Sequence, residues 1–338
     1  MNTKSNVFTV LGAGSWGTSL AMQLARAGHT TYLWSHSREH VKAMQASRSN
    51  ERFLPGVPFH DNLFCSFDLK DCLAKANTIL IVVPSHAFRQ TLHKIKPFLT
   101  DQHRLCWGTK GLEKGSRKLL HQIVLEELQT AIPIAAVSGP TFAGEVARDL
   151  PGAITIASKD VRFARELATA LHSKNFLTYT SDDVIGVEIG GAAKNVMAIA
   201  AGIADGMGFG TNTRAALITR GLNEIMRLGV ALGGHRETFM GLSGMGDLIL
   251  TCSDDQSRNR RFGLALGKGM DLEQAKIDIA QVIEGIGTSE TVYALAQDNH
   301  VEMPITEQVY KVLHKGFSPR EAVKILMDRT PKPESDSS

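Results

Sequence analysis

Val7-Phe8-Thr9-Val10-Leu11-Gly12-Ala13-Gly14-Ser15-Trp16-Gly17 decides the architecture. A short β-branched and apolar run enters the pattern G-x-G-x-x-G, and helical periodicity follows over 18–27, closed by Gly28. Each glycine has its own task. Gly12 permits a tight turn, Gly14 lets the backbone approach a pyrophosphate, and Gly17 lets helix and strand pack closely. The helix N-terminus then faces the negative charge. Standing alone, the pattern is weak and can be a purely structural turn. Between a strand and a helix it predicts a dinucleotide-binding half of the Rossmann type.

The alternation continues. Strand patterns fall at 7–11, 30–34, 78–83, 105–108, 135–138, 153–157 and 176–180, with helical patterns at 18–27, 87–95, 117–129 and 161–171. This spacing predicts an α/β, doubly wound, mostly parallel sheet covered on both faces, and leaves the direction of the last strands open. From about residue 182 strand patterns stop. Helical periodicity carries on through 184–204, 213–232, 272–281, 288–297, 304–315 and 319–327. The expected organisation is a nucleotide-binding domain over 1–181, an all-helical substrate domain over 182–330 and a disordered tail over 331–338.

Bulk properties exclude several classes. A chain of 338 residues, 43% hydrophobic and 21% charged, has room for two cores of ordinary globular type. A net charge of +3 implies no broad nucleic-acid surface. Cys65, Cys72, Cys106 and Cys252 are scattered without a C-x-x-C pair, which argues against a zinc site or disulfide framework and for a reducing, cytoplasmic compartment. The polar residues 1–6 lead into the first strand without a cleavage site, so no signal peptide is expected. The apolar stretch from Val184 approaches membrane-spanning length. Its Glu188, Lys194, Asn195 and glycines favour a buried helix of a soluble domain over membrane insertion.

Lys194 is the chemical anomaly of that stretch. On a helix it shares a face with Gly190, Gly191, Ala198 and Ala201, so an amine lies at the floor of a notch that a small ligand or a close-packed backbone must fill. Burial lowers an amine's pKa and makes it a base near neutrality. A lysine whose stem snorkels to solvent is the plainer reading. Three loops leave strand ends where ligands collect: 84–86, 109–111 and 139–144. Lys110 would be a second amine in that crevice, each amine depressing the other, or an ordinary loop lysine. After the second strand stands Ser35-His36-Ser37-Arg38, without the carboxylate that selects NAD. His36 and Arg38 suit a 2′-phosphate, making NADP(H) the preferred cofactor with NAD(H) tolerated; both residues could also be solvated. Asp247 ends a glycine-rich run, and Ser257-Arg258-Asn259 offers hydroxyl, guanidinium and amide donors fit for a phosphate. Taken singly, these are a helix cap and a basic turn.

Ser138-Gly139-Pro140-Thr141-Phe142-Ala143, Gly190-Gly191-Ala192-Ala193-Lys194-Asn195, Gly244-Met245-Gly246-Asp247 and Ser257-Arg258-Asn259 occur in this order behind the first glycine loop. Together they resemble the bacterial-type NAD(P)-dependent glycerol-3-phosphate dehydrogenases over nearly the whole chain. The resemblance implies reversible hydride transfer between the nicotinamide and C2 of sn-glycerol 3-phosphate, giving dihydroxyacetone phosphate, without a metal. It implies that Lys194 accepts the hydroxyl proton. Lys110, Gly139, Thr141, Asp247, Ser257, Arg258 and Asn259 would hold substrate beside Lys194. Ser15, Trp16, His36, Lys110, Ala143, Arg258, Val282 and Glu284 would meet the cofactor, beside Gly12, Gly14 and Gly17. Asp247 is expected to orient Lys194 or a substrate hydroxyl. An enzyme of this kind supplies glycerol 3-phosphate for glycerophospholipid synthesis, and a homodimer is the general expectation. β-Hydroxyacid dehydrogenases share G-x-x-x-K but continue K-x-x-x-N, where this chain has Ala198. A non-catalytic NADP-binding sensor would need the glycine loop without Lys194, Lys110, Arg258 and Asn259 together.

Overall fold

The computed structural model describes residues 6–129 and 131–328, so the tail expected to be disordered lies outside the described residues. The first part contains β1 (Val7–Leu11), α1 (Ser15–Arg26), β2 (Thr30–Trp34), α2 (Arg38–Ser47), β3 (Ser49–Asn50) and β4 (Leu54–Pro58). It continues with β5 (Leu63–Ser66), α3 (Leu69–Lys75), β6 (Thr78–Ile81), α4 (Phe88–Ile95), β7 (Arg104–Trp107) and α5 (Leu120–Leu128). Then come β8 (Ile134–Ser138), α6 (Ala143–Ala147), β9 (Gly152–Ala157), α7 (Val161–Leu171) and β10 (Phe176–Ser181).

Eight of these strands form one sheet in the order β10-β9-β8-β7-β6-β1-β2-β5. All neighbours run parallel except β8 and β9, which answers the question left open for the last strands. From β1 the chain winds outward to β2 and β5, then returns to β6 on the other side. That reversal makes the carboxyl ends of β1 and β6 the switch point where a ligand crevice opens. The glycine loop sits there. Gly12 has φ +117°, and a Cβ on it would lie 2.3 Å from the Val82 carbonyl oxygen. A Cβ on Gly14 would meet nothing within 4 Å, so its backbone faces open space.

Two apolar layers cover the sheet. Phe8, Val10, Leu20, Leu24 and Leu33 join Phe163, Leu167 and Leu171 on one face, while Leu11, Ile79, Ile81, Phe88, Trp107 and Ile123 pack on the other. Some elements show no sequence pattern. The pattern over 117–129 becomes a helix only from Leu120: Arg117 takes a left-handed φ of 60°, and Leu119 is still extended at ψ 153°.

Beyond Ser181 no strand occurs among the described residues. The elements are α8 (Val184–Gly206), α9 (Thr211–Ala231), α10 (Arg236–Phe239), α11 (Asp247–Ser253) and α12 (Arg258–Gly267). They are followed by α13 (Leu272–Ile279), α14 (Glu284–Asp298), α15 (Pro304–His314) and α16 (Pro319–Met327). Helix α8 is the axis of this half. It is long and apolar enough to cross a membrane, yet it is buried within the protein. Its start, Val184 and Val187, belongs to the apolar layer of the sheet, and its remainder to the helical core. Farther along, α8 and α12 touch backbone to backbone: a Cβ on Gly202 would lie 2.1 Å from the Arg260 carbonyl oxygen, and one on Gly263 2.1 Å from that of Ile199.

Candidate active site

Lys194 lies on α8 with 6% of its surface exposed, which rules out the snorkelling arrangement. The glycine-rich run before Asp247 explains how a carboxylate reaches it. Residues Leu242–Gly246 form a π-helical turn, and a Cβ on Gly190 would lie 2.5 Å from the Ser243 carbonyl oxygen. The turn therefore packs its backbone directly on α8 and starts α11 beside the amine. Lys194 Nζ donates to Asp247 Oδ1 and, at 3.0 Å, to Thr251 Oγ1. Thr251 stands one helical turn beyond Asp247 and in turn donates to the Asp247 carbonyl at 2.6 Å.

Lys110 approaches from the loop after β7. Its Nζ donates to Asp247 Oδ2 at 2.7 Å and to the Gly139 carbonyl at 3.2 Å. Fully buried, Asp247 thus joins one ammonium from each half of the molecule. Burial pulls the Lys194 pKa down to about 7, the charge of Asp247 opposes that fall, and the charge of Lys110 adds to it. Desolvation outweighs the repulsion between amines that the sequence suggested.

The other expected residues surround this cluster or stand apart from it. Trp16 lies under Lys110, with Nζ 5.9 Å from the ring centroid, and its indole nitrogen is buried without a partner. Ser15 Oγ donates to the Phe53 carbonyl at 3.0 Å, and the Ala143 carbonyl accepts from Ser19 Oγ at 2.6 Å, tying α6 to α1. Thr141 Oγ1 donates to the Gly139 carbonyl at 3.3 Å. Ser257 caps α12, its Oγ accepting from the Arg260 amide at 3.2 Å, and Arg258 in the first helical turn is exposed. The Asn259 amide is already engaged: it donates to Asn195 Oδ1 at 3.0 Å and accepts from the Gly285 amide at 2.9 Å. It therefore ties α12, α14 and the residue next to Lys194. Glu284 accepts from Ser85 Oγ at 2.8 Å, across the two halves, while Val282 is 46% exposed beside it. His36 is exposed at the end of β2, away from the amines, and the Arg38 guanidinium stacks 4.2 Å from the Phe67 ring centroid.

Thr251 and Glu188 escaped the sequence reading as site residues. Thr251 carried a signal, four residues after Asp247; Glu188 carried only its rarity as a charge in an apolar run. The chain's residues fit a dinucleotide at the crevice. Helix α1 starts without a side-chain cap at Gly14, leaving first-turn amides for an anion, and an unpartnered indole nitrogen lies next to that loop.

Comparison with known proteins adds a family. Residues 7–164 match the NAD-dependent glycerol-3-phosphate dehydrogenase N-terminus, and residues 183–324 match the corresponding C-terminus. A curated glycerol-3-phosphate dehydrogenase [NAD(P)+] from Psychromonas ingrahamii is 52% identical over 327 residues, covering 96% of this chain and 98% of that protein. The protein of that name from Haemophilus influenzae is 52% identical over 335 residues, covering 99% and 100%. The crystal structure of glycerol-3-phosphate dehydrogenase from Coxiella burnetii superposes with TM-score 0.93 at 49% identity, covering 96% of this chain and 99% of that one.

Proposed function

The chain belongs to the NAD-dependent glycerol-3-phosphate dehydrogenase family, and we propose that it interconverts sn-glycerol 3-phosphate and dihydroxyacetone phosphate with Lys194 as acid and base. The observation that carries the reading is the buried Lys194–Asp247–Lys110 chain, with one amine near neutrality and the other charged beside it. Bound NAD(P)H supplies the hydride that C2 receives. Protonated Lys194 polarises the C2 carbonyl and gives its proton to the oxygen as the alcohol forms. In the opposite direction the neutral amine takes the hydroxyl proton. Asp247 holds both ammonium groups in place. Ser257, Arg258 and the first turn of α12 receive the phosphate, whose binding fixes C2 before the ring. Gly139, Thr141 and Asn259 line the same substrate region.

On the cofactor side, Gly12, Gly14, Ser15, Trp16 and Gly17 receive the pyrophosphate, with Ala143, Lys110, Arg258, Val282 and Glu284 toward the nicotinamide. His36 and Arg38, with no carboxylate before Glu39 in the loop after β2, favour NADPH over NADH. The free cysteines support a cytoplasmic enzyme, and supply of glycerol 3-phosphate for glycerophospholipids is its role. A homodimer follows from the general prevalence of two-fold assemblies.

The test is an NADPH oxidation assay with dihydroxyacetone phosphate, hydroxyacid-derived ketones and no substrate. Turnover is expected with the first alone. Lys194→Ala should lower kcat by about 10²–10⁴-fold and leave the NADPH dissociation constant nearly unchanged. Normal turnover in that variant would remove Lys194 from the chemistry.

A further inference from the structure

Glu188 is the other charge of α8 before Asp205, and the reaction as described does not use it. It is 7% exposed. Its carboxylate faces the nucleotide-binding half and takes every donor from there. Oε1 accepts from Trp107 Nε1 at 3.0 Å and from the His121 amide at 3.0 Å, while Oε2 pairs with His121 Nδ1 at 2.6 Å. Trp107 ends β7, three residues before Lys110, and His121 stands in the first turn of α5. So one side chain of the helix that carries Lys194 is bonded to the strand that delivers Lys110.

The intervening turn closes the link. A Cβ on Gly191, between Glu188 and Lys194, would lie 2.8 Å from Ser138 Oγ and 3.7 Å from Lys110 Cγ. Glu188, Gly191, Lys110, Thr109 and Ser138 line one small space of about 10 Å³, room for about one water molecule. A rotation or slide of α8 would change the Glu188 bonds and the Lys110–Lys194 spacing together. Of the other ties between the halves, Lys114–Glu290 and Arg117–Asp298 are exposed and hold no axial register, while Lys110–Asp247 and Ser85–Glu284 reach α11 and α14 rather than α8. An apolar residue at 188 would fill the site at lower desolvation cost. The carboxylate supplies direction instead.

We propose that Glu188 is a positioning residue, a buried clamp that sets α8 against β7 and α5 so that Lys194 and Lys110 meet on Asp247. The inference rests on Lys194 being the acid and base. Its test uses the full chain with Glu188→Gln, Glu188→Leu, His121→Ala and Lys194→Ala, all assayed well below their melting temperatures. Measured are kcat and KM for dihydroxyacetone phosphate, the NADPH dissociation constant, and the indole N–H resonance of Trp107. Glu188→Gln should lower kcat on the order of 10- to 100-fold, the loss expected for a displacement near 1 Å, with NADPH affinity held within about twofold. His121→Ala, at a half-buried site, should lower kcat by a smaller factor, and the Trp107 indole resonance should move in both. A purely structural Glu188 predicts lower melting temperatures with wild-type kcat. If Glu188→Gln and His121→Ala keep wild-type kcat while Lys194→Ala is dead, the clamp is wrong and the functional reading stands. If Lys194→Ala turns over normally, the reading itself fails. Should Glu188→Leu not fold, the other two variants decide.

Discussion

At Lys194 burial and a neighbouring carboxylate pull in opposite directions, and burial prevails. Burial lowers its pKa to about 7, Asp247 pulls the value up, and Lys110 pushes it down. With Lys194 as the proposed base, oxidation of glycerol phosphate requires the neutral amine, so kcat in that direction should fall as pH drops below about 7. Reduction needs the protonated amine and should fall above it. The neighbours then give predictions of opposite sign. Asp247→Asn removes the raising charge and should move the acid limb of the oxidation profile to lower pH. Lys110→Met removes the lowering charge and should move that limb to higher pH. Both variants should also lose kcat, since both side chains line the site. A pH–rate series decides, and shifts of the same sign in the two variants would show that the balance is misassigned. The amine's burial is legible from its apolar surroundings alone. Its partner was foreseen only as one of two choices, Asp247 orienting either Lys194 or a substrate hydroxyl; 53 residues separate the pair, and packing decides for Lys194.

At the scale of elements, small residues were legible and what fills the space beside them was not. The notch on α8 could accept a ligand or a backbone. On the Gly190 side it takes the turn before Asp247; Gly202, outside that notch, takes α12. A side chain at Gly202 therefore has no room. Gly202→Ala should destabilise the protein by about 1–3 kcal/mol, read by denaturant unfolding, because a backbone carbonyl cannot yield as a side chain can. The region 38–66 hides for another reason. Strands β3 and β4 are short, β4 carries Pro55 and Pro58, and β5 exposes Phe64 at the sheet edge, so no alternation of polarity marks them. The antiparallel turn from β8 to β9 was also unreadable, since the connection 139–151 is long enough for either direction. Glu224 is a cap that sequence cannot show. It lies on α9 and accepts from the Ile305 and Thr306 amides at the start of α15. Burial raises its pKa to about 7, so the folded state binds a proton that the unfolded chain releases above about pH 4.5. Its contribution is therefore full at low pH and is lost as pH rises through about 7. Glu224→Gln should be most destabilising at about pH 5 and least above about pH 7.5, as unfolding at the two values would reveal; the reverse order would contradict the burial argument.

Across the whole molecule, catalysis needs the two halves in one arrangement, and the ties that hold it are unequal. The exposed pairs at the rim are screened by salt and solvated on both sides. Lys110–Asp247, Glu188–His121 and Ser85–Glu284 are more deeply placed, and Lys110, Asp247 and Glu284 among them are the residues expected to meet substrate or cofactor. Glu284 is the informative case. It starts α14 in the helical half, yet its carboxylate accepts from the Ser85 hydroxyl in the loop after β6, at the mouth of the nucleotide crevice. A hydrogen bond to a charged group contributes about 1.5–3 kcal/mol. Glu284→Ala should therefore weaken NADPH binding by roughly 10- to 100-fold, with a smaller effect on kcat at saturating cofactor, because the Lys194–Asp247 contact does not involve it. Ser85→Ala leaves the carboxylate free to act on the cofactor and should weaken binding less. Fluorescence titration with NADPH ranks the three proteins. Equal affinities would mean that the halves are brought together without Glu284, and that the amine cluster alone sets the crevice.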